Sequence, residues 1–540
     1  MRDIHFPGRS VVMSAQGMVS TSQPTASQAG LDVLKAGGNA MDAAIAASAV
    51  LCVTEPFSTG IGGDCFLLYH EAATGRLHGL NGSGAAPAKA SVEEYRRRGL
   101  DAVPERGLLS VTVPGAIDAW QAAAERFGTL GLGELLQPAI ALAEDGYAIT
   151  PVVHHVWQKH EALLAKTPRS AEAMLENGRA PGAGTLHRQP KLAKTMRLIA
   201  EKGARAFYQG PIAKAIADTM REGDGLIGEE DLAAHRSEWV DPIHADYHGL
   251  RLYEIPPNGQ GITALMALNI LENLNFGAME HLSVEYIHTL TETIKLALGE
   301  RDRFVGDMRL AEIPIEALLG KEFGKRQYER FNAGSALPYP LDSGLNGGAA
   351  QGGPQGAPHK DTVYITVVDK DRNCCSFINS LFHGFGSGVM AGDTGVMLQN
   401  RGACFVVEDD HFNAIAPGKR PLHTIIPAMA YRGQEPILCF GVMGGHYQAM
   451  GHAYTFTNWL DFGMDVQQAL DAPRFMPRLG QLQVERGIPE ATREGLSKLG
   501  HDVVETEMPL GGGQIIYIDS ESGVLSAGSD PRKDGSAMGY

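Results

Sequence analysis

Residues 333–361 read AGSALPYPLDSGLNGGAAQGGPQGAPHKD, and at Thr362 the chain turns at once into TVYITVVDKD. A segment with so few large apolar residues and repeated Gly-Gly and Gly-Pro signals buries too little surface to order itself, and it reads as a linker. The patterns on its two sides differ. Before it, SQPTASQAGLDVLKAGGNAMDAAIAASAVLCV predicts two helices broken at Gly37-Gly38, and residues 108–300 carry mostly helical spacing. PGAIDAWQAAAERFG is one such pattern, with Pro114 at a permitted first-turn position. FSTGIGGDCFLLYH predicts a glycine loop leading into a strand over Cys65–Tyr69. After the linker the pattern is strand-rich: CCSFINSLF, TGVMLQN, HTIIPAMAYRG, EPILCFGVMGG and a closing hairpin IIYIDSESGVLSAGSD, with helical stretches at AYTFTNWLDF and VQQALDAP. At 540 residues the chain exceeds what one hydrophobic core organises. The break therefore defines two portions, 1–361, mostly helical, and 362–540, mostly strand.

Sixty-two acidic against 46 basic residues give a formal net charge of −16, the wrong sign for a nucleic-acid partner. The first residues show no basic region followed by a long apolar stretch, so no signal peptide is expected. The longest apolar run, AMDAAIAASAVLCVTEP, carries Asp42 and is short of a bilayer span. No membrane association is expected, and a cytoplasmic location is the default. The six cysteines form no CxxC pair, so they read as small reduced core residues. No metal and no cofactor are expected. STGIGGD lacks the GK[ST] ending of a phosphate-binding loop and the GxGxxG of a dinucleotide fold.

The abrupt start of a strand at Thr362 carries a chemical possibility. A threonine hydroxyl is a poor nucleophile unless a base stands beside it. When threonine is the first residue, its own α-amine, with a reference pKa of about 7.7–8, is that base. Making such a terminus requires cutting the Asp361–Thr362 bond, and a pliable segment directly before the strand suits a cut.

Other stretches resemble one known family, the γ-glutamyltransferases of the N-terminal-nucleophile hydrolases. They are QAGLDVLKAGGNAMDAAIAA, TEPFSTGIGGDCFLLYH, SGAAPAKAS, SVTVPGAIDAW, TVYITVVDKDRN, FGSGVMAG, PGKRPLHTIIPAM, GVMGG, DAPRF and SDPRKDGSAMGY, in order over nearly the whole chain. The resemblance implies an α+β fold, a four-layer αββα sandwich, made as a precursor that cuts itself into a large and a small subunit. The cut would fall between Asp361 and Thr362, with Thr362 the nucleophile. Ser380 matches the family's second hydroxyl residue, which assists cleavage. Gly444 and Gly445 match the Gly-Gly pair whose N–H groups form the oxyanion hole. The two subunits are expected to stay associated, with dimers of such pairs open, and the substrate is a small-molecule amide.

The match breaks at the clamp that transpeptidase members use for the free end of a glutamyl group. Ser83 stands in the place of the carboxylate-binding arginine. His423 and Thr424 replace two serines, Phe382 replaces an asparagine, Arg401 a glutamine and Cys404 an aspartate. An α-ammonium group in that pocket would be desolvated and poorly paired, and Arg401 would repel it. Arginine suits a carboxylate or carbonyl, so the pocket reads as reassigned toward another, smaller or acidic, acyl group. Two readings stand for each changed residue: Arg401 contacts substrate or pairs with a carboxylate such as Glu408, and His423 contacts substrate or is a neutral core histidine. PGKRPxHTIIP with GVMGG fits the branch with glutathione hydrolase-like, cephalosporin acylase-like and oxamate amidohydrolase members. The expected activity is amide hydrolysis through an acyl-enzyme on Thr362, with transfer to amino acids or peptides in competition. The alternative is an inactive member that serves as a binding or scaffold protein.

Overall fold

The computed structural model describes residues 5, 8–338, 341–342, 344–345 and 362–540. Asp361 and most of the Gly/Pro-rich stretch lie outside the described residues. Fourteen strands make two seven-stranded sheets. In chain order they are β1 (Val12–Ser14), β2 (Met18–Thr21), β3 (Asp64–Glu71), β4 (Arg76–Gly82), β5 (Glu238–Val240), β6 (Ile243–Tyr247) and β7 (Leu250–Glu254). Beyond the Gly/Pro-rich stretch come β8 (Val363–Val368), β9 (Cys374–Ser380), β10 (Ala428–Arg432), β11 (Glu435–Met443), β12 (Gly512–Ile518), β13 (Leu525–Ser529) and β14 (Ser536–Gly539). One sheet has the order β1-β13-β12-β11-β10-β7-β6, the other β14-β2-β8-β9-β3-β4-β5. Each of these two sheets thus draws strands from both sides of the linker, so neither portion of the chain completes a seven-stranded sheet alone.

The predicted helix pair is α1 (Pro24–Lys35) and α2 (Ala40–Thr54). Asn39 caps α2 by accepting from the N–H groups of Met41 and Asp42, and Asp42 reciprocates on the Asn39 N–H. Every residue of α2 is buried, and its alanines bring it close to β8 and β9. The outer face of the other sheet is covered by α4 (Gly261–Leu271) and α6 (Tyr447–Leu460), with α5 (Val284–Phe304) packed on α4, while α3 (Ala116–Phe127) packs on β3 and β4. The order is helix, sheet, sheet, helix. Pro114 lies two residues ahead of α3, since Gly115 is its N-cap, and does not enter the first turn.

Alternation along β8 sorts the core into layers. Val363, Ile365 and Val367 join the helix-facing core, whereas Tyr364 and Val368 join the core between the sheets. Adjacent Cys374 and Cys375 divide the same way, and all six cysteines are buried and none forms a disulfide. The helical reading of 108–300 missed β5 to β7. The hairpin IHADYHGLRLYE does alternate, but its turn residues His248 and Gly249, both at positive φ, interrupt a pattern only five residues long on each side.

The start of the Gly/Pro-rich stretch is tied down, contrary to its composition. Ala336 N–H donates to the Leu499 carbonyl and Leu337 N–H to Glu292 Oε2. Glu292 lies with His288 and His501 in a buried group whose ligating atoms are close enough for a metal. Its donors are engaged within the protein: Lys295 Nζ sits 2.9 Å from Glu292, and the two imidazoles bond each other at 2.8 Å. The group acts as a tether for residues 332–337. Among the described residues no helix is long and apolar enough to cross a membrane.

Candidate active site

Register places three polar side chains in a row. Val363 pairs with Asn379 and Asp64 with Ser380, so Thr362, Ser380 and Asp64 stand side by side at one end of β8, β9 and β3. All three share parity with residues of the core between the sheets, Tyr364, Ile378 and Phe66. Thr362 Oγ1 and Ser380 Oγ are 3.0 Å apart and hydrogen-bonded, and both are buried. Ser380 Oγ also accepts the Phe382 N–H at 2.8 Å. Phe382 is held at φ 80°, a left-handed conformation that costs a bulky residue energy and that clusters at functional sites.

Gly444 and Gly445 end β11 on the facing sheet. Thr366 Oγ1 donates to the Cys439 carbonyl at 3.1 Å, and a side chain on Gly441 would strike the Tyr364 ring. The next step of this two-residue progression brings Thr362 opposite Met443, immediately before the glycine pair. Gly444 (φ 126°) and Gly445 (φ 62°) both need positive φ, and a Cβ on Gly444 would sit 2.9 Å from Gly511 Cα. Gln260 Nε2 fixes the turn by donating to the carbonyls of Gly445 and Thr424. The α6 N-terminus begins two residues later and adds the positive end of its dipole.

The structure gathers Arg401, His423 and Thr424 around Asp64, all of them buried. His423 Nδ1 accepts the Ile425 N–H, so Nε2 carries the proton and donates to Asp64 Oδ2 at 2.9 Å. Arg401 Nε lies 3.6 Å from the same oxygen, its Nη1 donates to Thr424 Oγ1 at 2.7 Å, and its guanidinium stacks 4.2 Å from the Phe382 ring centroid. Arg401 Nη2 is buried with no hydrogen-bond partner among the described residues. Burial pushes the Asp64 carboxyl up to about 7, against the pull of Arg401 and of the Gly84 N–H. Burial, then Arg401 and Arg420, push His423 well below its ordinary value, which keeps it neutral. Ser83 lies across from Asp64, one step past the Cys65–Gly82 pair of β3 and β4, and accepts from Asn258 Nδ2 at 3.1 Å.

Asp64, Gln260 and Asn258 were not singled out by sequence. Asp64 was the legible one: it directly follows Gly62-Gly63 and shares the two-residue parity of Phe66 and Leu68. Gly63 is forced, because a Cβ there would lie 2.3 Å from the Ser380 carbonyl. The glycine loop therefore serves backbone packing beside Ser380.

A cleft of about 740 Å³ opens on this region. Gly444, His446, Tyr447 and Gly511 form its floor, and residues 151–166, 476–483 and 507–511 contribute walls. The Phe382 ring stands edge-on to His446, which lines the cleft, 6.3 Å between centroids, and carries the Arg401 guanidinium 4.2 Å from its centroid.

A family model described as gamma-glutamyltranspeptidase matches residues 26–540. The chain is 39% identical to the glutathione hydrolase-like YwrD proenzyme of Bacillus subtilis, over 98% of this chain and 99% of that one. It is 33% identical to the oxamate amidohydrolase proenzyme of Klebsiella pneumoniae, again over 98% and 99%. The crystal structure of a cephalosporin acylase from Bacillus halodurans superposes with a TM-score of 0.90 at 40% identity, covering 100% of this chain and 99% of the other.

Proposed function

The chain belongs to the gamma-glutamyltranspeptidase family of N-terminal-nucleophile hydrolases, and we propose that it is a self-processing amidohydrolase in which Thr362 is the nucleophile. The observation that carries this reading is the hydrogen bond between Thr362 Oγ1 and Ser380 Oγ, at the strand end facing Gly444-Gly445. In the precursor, Thr362 Oγ1 attacks the Asp361 carbonyl, the 361–362 C–N bond breaks, and water hydrolyses the resulting ester. The products are 1–361 and 362–540, and they remain associated because each sheet contains strands of both. The freed α-amine of Thr362 then takes the hydroxyl proton as Oγ1 attacks a substrate amide. The oxyanion is held by the N–H groups of Gly444 and Gly445, where one donor is worth about 3–4 kcal/mol in the transition state. The amine leaving group departs with that proton, and water releases the acyl group from Thr362.

The acyl group in this reading is small and acidic. Arg401, with Nη2 lacking a hydrogen-bond partner and Nη1 on Thr424, offers donors suited to a carboxylate or α-carbonyl. Asp64 stands two strands from Thr362, about 10 Å at ordinary strand spacing, which matches a short acyl chain. The relatives named for glutathione and oxamate hydrolysis bracket the candidates, glutaryl amides included. The test is mass measurement with N-terminal sequencing of active protein, alongside Thr362→Ala. A fragment beginning at Thr362 is expected in wild type. Thr362→Ala is expected to give one full-length chain without amidase activity, and an active, uncut variant would refute the reading.

A further inference from the structure

The cleft above Gly444 is charged in one sense. Arg106, Lys159, Lys166, Arg478, Arg532 and Lys533 line it, against one carboxylate, Glu507, among the described residues. The whole chain leans the other way, at −16. These cations come from four separate stretches of sequence, so no basic run explains their convergence. Lys159 Nζ lies 2.5 Å from the largely exposed Glu507, and Arg532 pairs with Glu485 and Asp530. Arg106 Nη1 donates to the carbonyls of Gly384 and Gly386, so this cation is anchored to the loop that follows Phe382. Concave low-dielectric walls of one charge focus the field and concentrate counter-charged ligands.

We propose that this cleft is a second subsite, selective for anions, which holds the portion of the substrate outside the scissile amide, and that this portion carries two or more carboxylates. The inference rests on the reading of Thr362 as nucleophile. A volume of about 740 Å³ exceeds the needs of a short acyl group and suits a dipeptide or tripeptide. Between the cations the walls are apolar, with Val152, Val156, Leu163, Met508 and Leu510. Cations drawn from several stretches and mixed with apolar lining suit carboxylates carried along a carbon chain better than one compact, densely charged phosphate.

The experiment compares mature enzyme on γ-glutamyl and glutaryl amides of three amines: alaninamide, alanine and glutamyl-glutamate. At low ionic strength kcat/KM is expected to rise about tenfold or more from the neutral to the tricarboxylate amine, and 0.5 M salt is expected to narrow the gap. The double variant Lys166→Gln/Arg478→Gln is expected to shrink the preference about fivefold, as two part-exposed charge contacts allow. Equal kcat/KM for the three amines, or a preference indifferent to salt, would overturn the inference while leaving the Thr362 reading intact. Should neither acyl series be cleaved, calorimetry of triglutamate and its triamide on wild-type protein decides. Salt-sensitive binding of triglutamate alone supports the subsite. Equal binding of the two, or tighter binding of pyrophosphate, overturns it.

Discussion

Arg401 and Arg478 both lie near the turn at Gly444, yet their surroundings oppose each other. Arg401 is enclosed, stacked on Phe382, bonded to Thr424 and compensated by Asp64. Arg478 is half-buried in the wall of an open cleft where cations outnumber carboxylates. An enclosed charge is tolerated only with partners in fixed geometry, so it recognises a ligand by position. A charge lining a solvated cleft costs little desolvation and acts by attraction over a distance of about 8–10 Å. In the proposed scheme a single substrate would meet both, its acyl end read by geometry and its other end by field.

The largest break in this comparison comes from Arg401→Met. It leaves Asp64 buried without its cation, and loss of one partner of a buried pair costs about 3–5 kcal/mol. Denaturant titration should show a lowered midpoint of that order, whereas Arg478→Met should change stability by less than about 1 kcal/mol. Similar midpoints for the two variants would erase the distinction.

Gly444 is where the two regions meet, lining the cleft and directly following Met443, the residue opposite Thr362. Gly444→Ala puts a Cβ 2.9 Å from Gly511 Cα at φ 126°. A displaced N–H at this turn should lower kcat by about 10²–10³-fold, the cost of losing one oxyanion donor. Unchanged kcat would remove the turn from the proposed chemistry.

Asp64 supplies a pH signature for the enclosed side alone. Its carboxyl is pushed up to about 7, well above its unfolded value, so the folded state holds this proton more tightly. The group therefore favours folding fully below about pH 4, and that contribution is lost as pH rises through about 7. Asp64→Asn should flatten the stability profile in this window relative to wild type. Parallel profiles for the two proteins would show that Asp64 does not titrate there.

Sequence made the strand that follows Thr362, the helix pair and the glycine turn legible because each rests on local signals: alternation, a Gly-Gly stop, and close backbone approach. It left Asp64 unread because its role depends on the register of β3 against β9, a contact between residues more than 300 apart. In sequence, Arg401 is open between substrate and a carboxylate partner such as Glu408, and His423 between substrate and a neutral core role; in the fold Asp64 is the carboxylate beside both. The basic cleft was hidden for a similar reason. Its cations are scattered from Arg106 to Lys533 in an acidic chain, and only folding converges them.

The smallest effect separates the two regions without any substitution. Raising salt from 0.05 to 0.5 M shortens the Debye length from about 14 Å to about 4 Å, which screens the cleft and leaves the enclosed cluster nearly untouched. Cutting at 361–362 is intramolecular in the proposed scheme and depends on Thr362, Ser380 and the glycine turn, none of which relies on a solvated charge. Its rate, followed by gel on freshly made precursor, should change less than twofold over this range, within what screening of buried dipoles allows. Turnover of an amide with a polycarboxylate amine portion should fall several-fold under the same change, through KM and not kcat, because attraction acts before the chemical step. If cutting and turnover slow together and equally, charge in the cleft is not what distinguishes the two reactions, and the separation of roles drawn between Arg401 and Arg478 fails with it.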